Sequence, residues 1–580
     1  MTLFRRPYIR TTADTRSFMD YKKEIAKLIT PEGADASETE ALITIPRESG
    51  NGDFALPCFK FAKALKKSPK LIAEELASSI TLPDFIVKAE AVNGYLNFYL
   101  DKSFYNREIL EKILLENDCY GASGIGRGKT VCIDYSSINI AKPFHIGHLS
   151  TTVIGAALYR LYNFLGYTAV GINHLGDWGT QFGKLIVAYK MWGDKSDVEK
   201  RGVAALLEIY VRFHKEAEKD DSLNDGARRW FKAIEDGDAE ATELFLWFKD
   251  ITLAEVEKTY KRLNVTFDSY AGESFYNDKM QPVIDELQAK GLLTESNGAK
   301  VVNLDAYKMP PCLIVKADGA TLYATRDLAA AFYRKAVYDF DKCLYVVAYQ
   351  QNLHFKQWFK VVELMDYDWY KDLEHVAFGM VSMEDGGAIK TREGKVIFLE
   401  EVLNRTVEKA YDILCEKSAA LGNKREAAEE IGVGAVIFSA LYNSRIKDIV
   451  FSYDRVLSFE GETGPYVQYT HARCTSVLSK ADIAGEVDFT ALDNAEANGV
   501  VKALAAFPDA LSDAALRYEP CYVSRAVMDV CQAYNKFYFE HRIIDAPEAR
   551  RNAMLILTKA VRQVIKTGLS LLGIAAPDKM

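Results

Sequence analysis

No stretch of the chain stays apolar for the roughly 18–20 residues that a membrane span requires, because charged side chains interrupt every apolar run. The first seventeen residues also lack the apolar stretch of a signal peptide. A cytoplasmic location without a membrane partner is therefore expected. The nine cysteines contain no Cys-x-x-Cys pair, which removes a common zinc clip and leaves no metal site to name. They read as reduced core residues. An excess of positive charge is missing too. The net charge of -9 argues against coating nucleic acid by bulk charge, yet leaves room for a local basic surface.

What is present is ordinary globular material, 49% apolar and 26% charged over 580 residues. Single hydrophobic cores rarely grow past roughly 250–300 residues, so several domains are expected. A polar segment at 1–18, to which no role is assigned, precedes a small α+β domain at 19–120, with helical patterns at 19–28, 57–65 and 69–78 and a strand-like stretch at 91–100. After turn-rich 121–128, a strand at 130–134 enters a polar loop. The spacing of Leu149, Val153, Ala157, Leu161, Phe164 and Leu165 then predicts a helix, stopped by Gly166 before a strand at 168–172.

Strand, loop, helix, strand is a parallel βαβ unit, whose first loop lies at the carboxyl edge of the sheet, where phosphates bind. Strands at 312–316 and 343–347, separated by a helix at 327–337, are assigned to the same doubly wound, Rossmann-type sheet. The catalytic domain so defined spans 121–425, with a helical insertion at about 195–263. From 426 to 580 the pattern is helical, with helices at 433–447, 466–480 and 522–539, which predicts an all-α bundle.

The loop Ser136-Ser-Ile-Asn-Ile-Ala-Lys-Pro-Phe-His-Ile-Gly-His-Leu149 places a lysine, an asparagine and two histidines where a helix begins. A helix start leaves backbone N–H groups unpaired and carries the positive end of the helix dipole. Gly147 lets a flat ligand approach the backbone, and both imidazoles can donate to phosphate. A lone histidine is more often structural. His145-Ile146-Gly147-His148 after a strand is instead a specific signal of nucleotidyl transfer.

Here the sequence resembles class I aminoacyl-tRNA synthetases. The blocks Asn173-His-Leu-Gly-Asp-Trp-Gly-Thr-Gln-Phe-Gly183, Phe267-Asp-Ser-Tyr-Ala-Gly-Glu-Ser-Phe-Tyr276, Tyr323-Ala-Thr-Arg-Asp-Leu-Ala329, Gln350-Gln-Asn-Leu-His354 and Gly464-Pro-Tyr-Val-Gln-Tyr-Thr-His-Ala-Arg473 are similar to the arginyl branch. The resemblance runs from about residue 19 to the end. It implies ATP-dependent attachment of L-arginine to tRNA(Arg) through an arginyl-adenylate, releasing AMP and pyrophosphate, with Mg2+ accompanying ATP. It also implies that Ser137, Asn139 and His148 contact substrate, that Asn139 and Asp134 reach the arginine α-amino group, and that Tyr323, Asp327 and Gln351 meet the guanidinium. A planar fork of N–H donors wants a carboxylate and aromatic packing, which lysine could not use equally.

His145, Gly147 and His148 are then the ATP site. The family's second signature, Lys-Met-Ser-Lys-Ser, is degenerate here: Gly387-Ala-Ile-Lys-Thr-Arg-Glu-Gly-Lys395 offers Lys390 and Arg392 but carries Glu393 at an often basic position. Lys142 is the cation expected to compensate. For tRNA, the helical end resembles a DALR-type anticodon-binding bundle through Asp513-Ala-Ala-Leu-Arg-Tyr518. Basic residues outnumber acidic ones between Arg517 and Lys566, and Tyr466, Tyr469, Arg473, Tyr534 and Lys536 are the candidate contacts. A monomer is expected. Two other readings stay open: a different nucleotidyltransferase of the same motif class, and a silent tRNA-binding relative, which Glu393 invites.

Overall fold

The computed structural model describes residues 20–30, 36–46, 49–140, 144–317, 323–384, 397–417 and 421–580. The chain divides into two compact units. One takes residues up to 120 with 474–506 and 529–564, and the other takes 121–473, 507–528 and 565–580.

In the first unit, β1 (Phe54–Pro57), β2 (Ile86–Val92) and β3 (Tyr95–Leu100) form an antiparallel sheet in the order β1-β3-β2. Helices Tyr21–Ile29 and Pro69–Ser79 bury Ile25, Ile29 and Ile72 against Leu56, Leu96 and Phe98. Their starts are fixed locally. Asp20 and Ser68 accept the N–H groups of Lys23 and Leu71, and Pro69 opens the second helix where its missing N–H costs nothing. Asn93-Gly94 turns left-handed at both residues, with φ of 52° and 84°, the geometry of a two-residue hairpin. The single extended stretch expected at 91–100 is therefore the end of β2, a turn and β3. The helical pattern expected from 57 gives way at its start to the end of β1 and a 3-10 turn at Cys58–Lys60.

The second unit carries β4 (Thr130–Asp134), β5 (Thr168–Ile172), β6 (Leu293–Ser296), β7 (Ala299–Val302), β8 (Cys312–Val315), β9 (Lys342–Tyr345), β10 (Leu373–His375), β11 (Val381–Met383) and β12 (Ile449–Phe451). Four of these make a parallel sheet in the order β10-β9-β4-β5. Val131, Cys132, Ile133, Cys343 and Leu344 are fully buried there, as expected for central strands covered on both faces. The helix Leu149–Phe164 crosses from β4 to β5, and Gly166, at φ 88°, stops it.

Several sequence expectations are corrected. Residues 312–315 do not extend the parallel sheet: β8 completes a separate antiparallel sheet, β6-β7-β8, whose hairpin turns at Asn297-Gly298 with φ of 49° and 79°. β12 interrupts the region read as continuously helical after 425 and pairs in parallel with β11. The helix expected from 327 begins at Tyr323, where the Thr325 hydroxyl donates to the Ile314 carbonyl and ties the first turn to β8. Of the cysteines, Cys119 and Cys415 are exposed rather than core. The interval 195–263 is helical throughout, as Lys195–Arg201, Val203–Ala217, Ser222–Glu235 and Ala239–Arg262. Towards the carboxyl terminus the chain forms the helices Gly464–Leu478, Ala495–Arg517, Cys521–Glu540 and Glu548–Leu572. No described helix is long and apolar enough to cross a membrane.

Candidate active site

β4 ends on Asp134 at the carboxyl edge of the parallel sheet, between Ile172 of β5 and Tyr345 of β9. The backbone then takes two consecutive left-handed steps, Ser136 at φ 68° and Ser137 at φ 44°. Such steps cost about 1–3 kcal/mol each unless the surroundings hold them. Here they do. The Ser136 N–H donates to Thr151 Oγ1 at 3.0 Å, and its hydroxyl lies 2.9 Å from Thr152 Oγ1 and 2.7 Å from the Tyr260 hydroxyl. The Ser137 hydroxyl donates to Asp134 Oδ1 at 2.6 Å.

The other carboxylate oxygen of Asp134 accepts from Arg334 Nη2 at 2.7 Å, and the two side chains are 7% and 1% exposed. Burial works against the charge of Arg334, but Asp134, Tyr276, Tyr345 and Cys343 around it together raise the guanidinium pKa well above its usual value. His174 Nδ1 stands 3.4 Å from the same nitrogen, and burial lowers its pKa. Asn139, two residues beyond Ser137, is exposed, and its backbone bridges to Gly176. A Cβ at residue 176 would overlap the Asn139 amide oxygen, so glycine at 176 is what seats this side chain.

The histidine motif occupies a 3-10 turn, Ile146–His148, that leads into the helix Leu149–Phe164. His145 Nδ1 accepts the Gly147 N–H at 3.1 Å, and His148 Nδ1 accepts the His145 N–H at 3.2 Å. A ring nitrogen that accepts a backbone proton leaves the neutral imidazole its N–H on Nε2. The two rings, 3.9 Å apart, therefore each keep an N–H on Nε2, a group able to donate to anionic oxygen. The Ile146 N–H bonds the Ile397 carbonyl and the Leu399 N–H bonds the Phe144 carbonyl, which ties the motif to the start of helix Leu399–Lys417. Lys142, Lys390 and Arg392 lie outside the described residues.

Helix Tyr323–Tyr338 presents Tyr323, 67% exposed, and Asp327, while Gln351 caps helix Asn352–Leu364. Asp327 is neither an N-cap nor a free first-turn acid. Its Oδ2 accepts from His354 Nε2 at 2.6 Å, with both side chains 26% exposed.

Glu273 lies in the 267–276 block, with no role expected of it from the sequence. It stands 4.0 Å from Arg326. Burial raises its carboxyl to about 7, with Arg326 opposing and the negative charges of Asp327 and Asp177 adding. Asp177, fully buried, fixes the loop by accepting the Ser274 N–H and hydroxyl, each at 2.8 Å, and Lys249 Nζ at 2.6 Å. Glu273 and Asp327 thus stand near enough for their negative charges to interact, beside Arg326 and the fully buried Asp177.

Of the RNA candidates in the second unit, Tyr469 is 41% exposed with the Arg473 guanidinium 4.9 Å over its ring, and Tyr466 is half-buried. In the first unit Lys536 is exposed, 3.5 Å from Glu496. Tyr534 corrects the sequence reading. Its ring is fully buried and its hydroxyl bonds Thr558 Oγ1, so it is a core residue with no face to offer a base. No group of three side chains able to hold a metal ion occurs among the described residues.

Three family models match the chain: tRNA synthetases class I (R), catalytic domain, over residues 109–453; DALR anticodon binding domain over 467–580; and arginyl tRNA synthetase N terminal domain over 19–100. An arginine–tRNA ligase of Alkaliphilus metalliredigens is 51% identical over 565 residues, covering 97% of this chain and all of that protein. One of Halothermothrix orenii is 51% identical over 566 residues, with the same coverage. The Thermus thermophilus arginyl-tRNA synthetase structure superposes with a TM-score of 0.79 at 25% identity, over 93% of this chain and 96% of that one. The Plasmodium falciparum structure shares the fold, with a TM-score of 0.78 at 22% identity over 97% and 98%.

Proposed function

The chain belongs to the arginyl-tRNA synthetase family, and from that premise we infer that it joins L-arginine to tRNA(Arg) at the expense of ATP. The observation that supports this reading is that the candidates gather where strands of one parallel sheet end: His145 and His148 follow β4, Glu273 bonds Leu175 after β5, and His354, which holds Asp327, follows β9. Chemistry at such a site is positioning and charge stabilisation, with no nucleophilic side chain required. The arginine carboxylate attacks the α-phosphate of ATP in line, giving arginyl-adenylate and pyrophosphate. A ribose hydroxyl of the terminal adenosine of tRNA then attacks the arginyl carbonyl, forming the ester as the acyl–phosphate bond breaks and AMP leaves.

In this reading His145 and His148 donate from Nε2 to phosphate oxygens as negative charge builds, beside Gly147. Asn139, Ser137 and Asp134 receive the α-amino end. Tyr323, Asp327, Gln351 and Glu273 receive the guanidinium. Lys142, Lys390 and Arg392 are assigned to the departing pyrophosphate. A Mg2+ ion accompanying the triphosphate would need few protein ligands, since it keeps several waters, and would neutralise phosphate charge. Tyr466, Tyr469, Arg473 and Lys536 are assigned to tRNA. Domain limits of 19–120, 121–425 and 426–580, a monomeric state and a cytoplasmic location complete the proposal, as does a need for tRNA before adenylate forms.

The test is charging of bulk tRNA with each labelled amino acid in turn. Arginine alone should become tRNA-linked; linkage of another amino acid overturns the reading. Two further outcomes are expected. Glu273 protonates below about pH 7 while a guanidinium keeps its charge, so kcat/KM for arginine should climb as pH rises through about 7. In Glu273→Gln that climb should vanish. Gly176→Ala should push Asn139 aside and slow arginine-dependent adenylation roughly 10- to 100-fold, the scale of a 1 Å misplacement. A rate within twofold of the parent counts against the seat assigned to Asn139.

A further inference from the structure

The chain offers one side chain that no part of the reaction has yet used and that touches the centre of the amino-acid pocket. His354 lies in the first turn of helix Asn352–Leu364, three residues after Gln351, which caps that helix. Its Nε2 reaches across to helix Tyr323–Tyr338 and meets Asp327 Oδ2 at 2.6 Å. A carboxylate cannot donate, so the imidazole N–H does. Both side chains are 26% exposed, open enough for a small ligand and enclosed enough for the bond to hold its geometry.

This contact settles the plane of the Asp327 carboxylate. A free aspartate turns about its last torsion, which is broad and roughly two-fold. Pinned at Oδ2, it keeps Oδ1 and one lone pair of Oδ2 aimed in a fixed direction. A planar guanidinium senses that plane because its parallel N–H groups must meet two acceptor positions together. ATP makes no such demand.

Resting on the reading of the site as an arginine pocket, we propose that His354 is a positioning residue that holds Asp327 in the orientation a guanidinium requires and thereby sets affinity for arginine. The imidazole itself touches no reacting atom. Its ring is seated independently of the substrate, against Phe355 at 5.6 Å between centroids, and Phe355 in turn stacks on His375 at 4.1 Å.

The experiment measures KM for arginine, KM for ATP and kcat in tRNA-dependent charging for the full chain, for His354→Ala and for His354→Phe, which keeps bulk without a donor. His354→Gln, whose amide can donate to the same oxygen, is the rescue. A hydrogen bond to a charged group is worth about 1.5–3 kcal/mol. Both donor-free variants should therefore raise KM for arginine about 10-fold or more, with KM for ATP and kcat within about twofold and most of the loss recovered in His354→Gln. An unchanged KM for arginine in both donor-free variants overturns the proposal. So does a parallel fall in every parameter that His354→Gln fails to recover, which would mark a structural role. If the parent protein charges no tRNA with arginine, the reading of the pocket has failed instead, and the two failures are distinct.

Discussion

Replacing Asp327 with alanine is expected to lower kcat/KM for arginine about 10²- to 10³-fold while KM for ATP stays within about twofold. In the proposed reading the carboxylate is the guanidinium acceptor, and it is held by His354 at 2.6 Å. Truncating one partner of a desolvated, hydrogen-bonded charge pair costs about 2–5 kcal/mol, and each 1.4 kcal/mol is tenfold. ATP is assigned to a different segment, His145 to His148, so the two effects should separate. Asp327→Asn keeps one acceptor and loses the charge, and should fall between parent and alanine. A variant whose arginine and ATP parameters decline together would mean that Asp327 supports the fold rather than the substrate.

A larger effect on stability is expected from Arg334. Changing it to methionine should destabilise the protein by about 3–5 kcal/mol, the usual cost of removing one member of a buried ion pair. The damage lies in what is left behind. Asp134, 7% exposed, would lose its guanidinium partner and retain, among the described residues, the Ser137 hydroxyl. Restoring neutrality with Asp134→Asn in the same chain should recover much of that loss, because an amide needs no counterion. Among the described residues Arg334 Nε and Nη1 have no hydrogen-bond partner, so the native pair is itself imperfectly satisfied and its neutral replacement is correspondingly cheap. Urea denaturation of the parent, the single variant and the double variant gives the comparison. A single variant within about 1 kcal/mol of the parent would show that Asp134 does not depend on Arg334.

Which features could be read from the sequence follows from how local they are. The order β4, helix Leu149–Phe164, β5 was legible because apolar spacing and Gly166 fix each piece separately. The histidine motif was legible because its residues are neighbours. Both hairpins were missed, although each carries Asn-Gly, at 93–94 and 297–298, the strongest short signal for a two-residue turn. Their strands are short, and half-exposed β2 and β6 show no clean alternation. β8 reads as a buried parallel strand from its apolar run alone. Only the sequence-distant pairing with β7 shows otherwise.

Within the candidate site, Asp134 was named from the sequence and its ion-pair partner Arg334 was not. Arg334 looks like any base on a charged helix, yet it stands two turns after Asp327 on the same face, beside buried Ala330 and Ala331. That was the available sign. Glu273 gave none, because its character comes from burial among Arg326, Asp177 and Asp327, which the fold gathers from separate loops and helices. Tyr534 failed for the opposite reason. An aromatic residue near basic ones on a helix is compatible with RNA contact or with a core, and here it is core.

Exchange of labelled pyrophosphate into ATP tests the central claim most directly, because it reads adenylate formation without the later transfer. With tRNA present, label should enter ATP when arginine is supplied and with no other amino acid. Exchange supported by a different amino acid, or by none, would contradict the assignment.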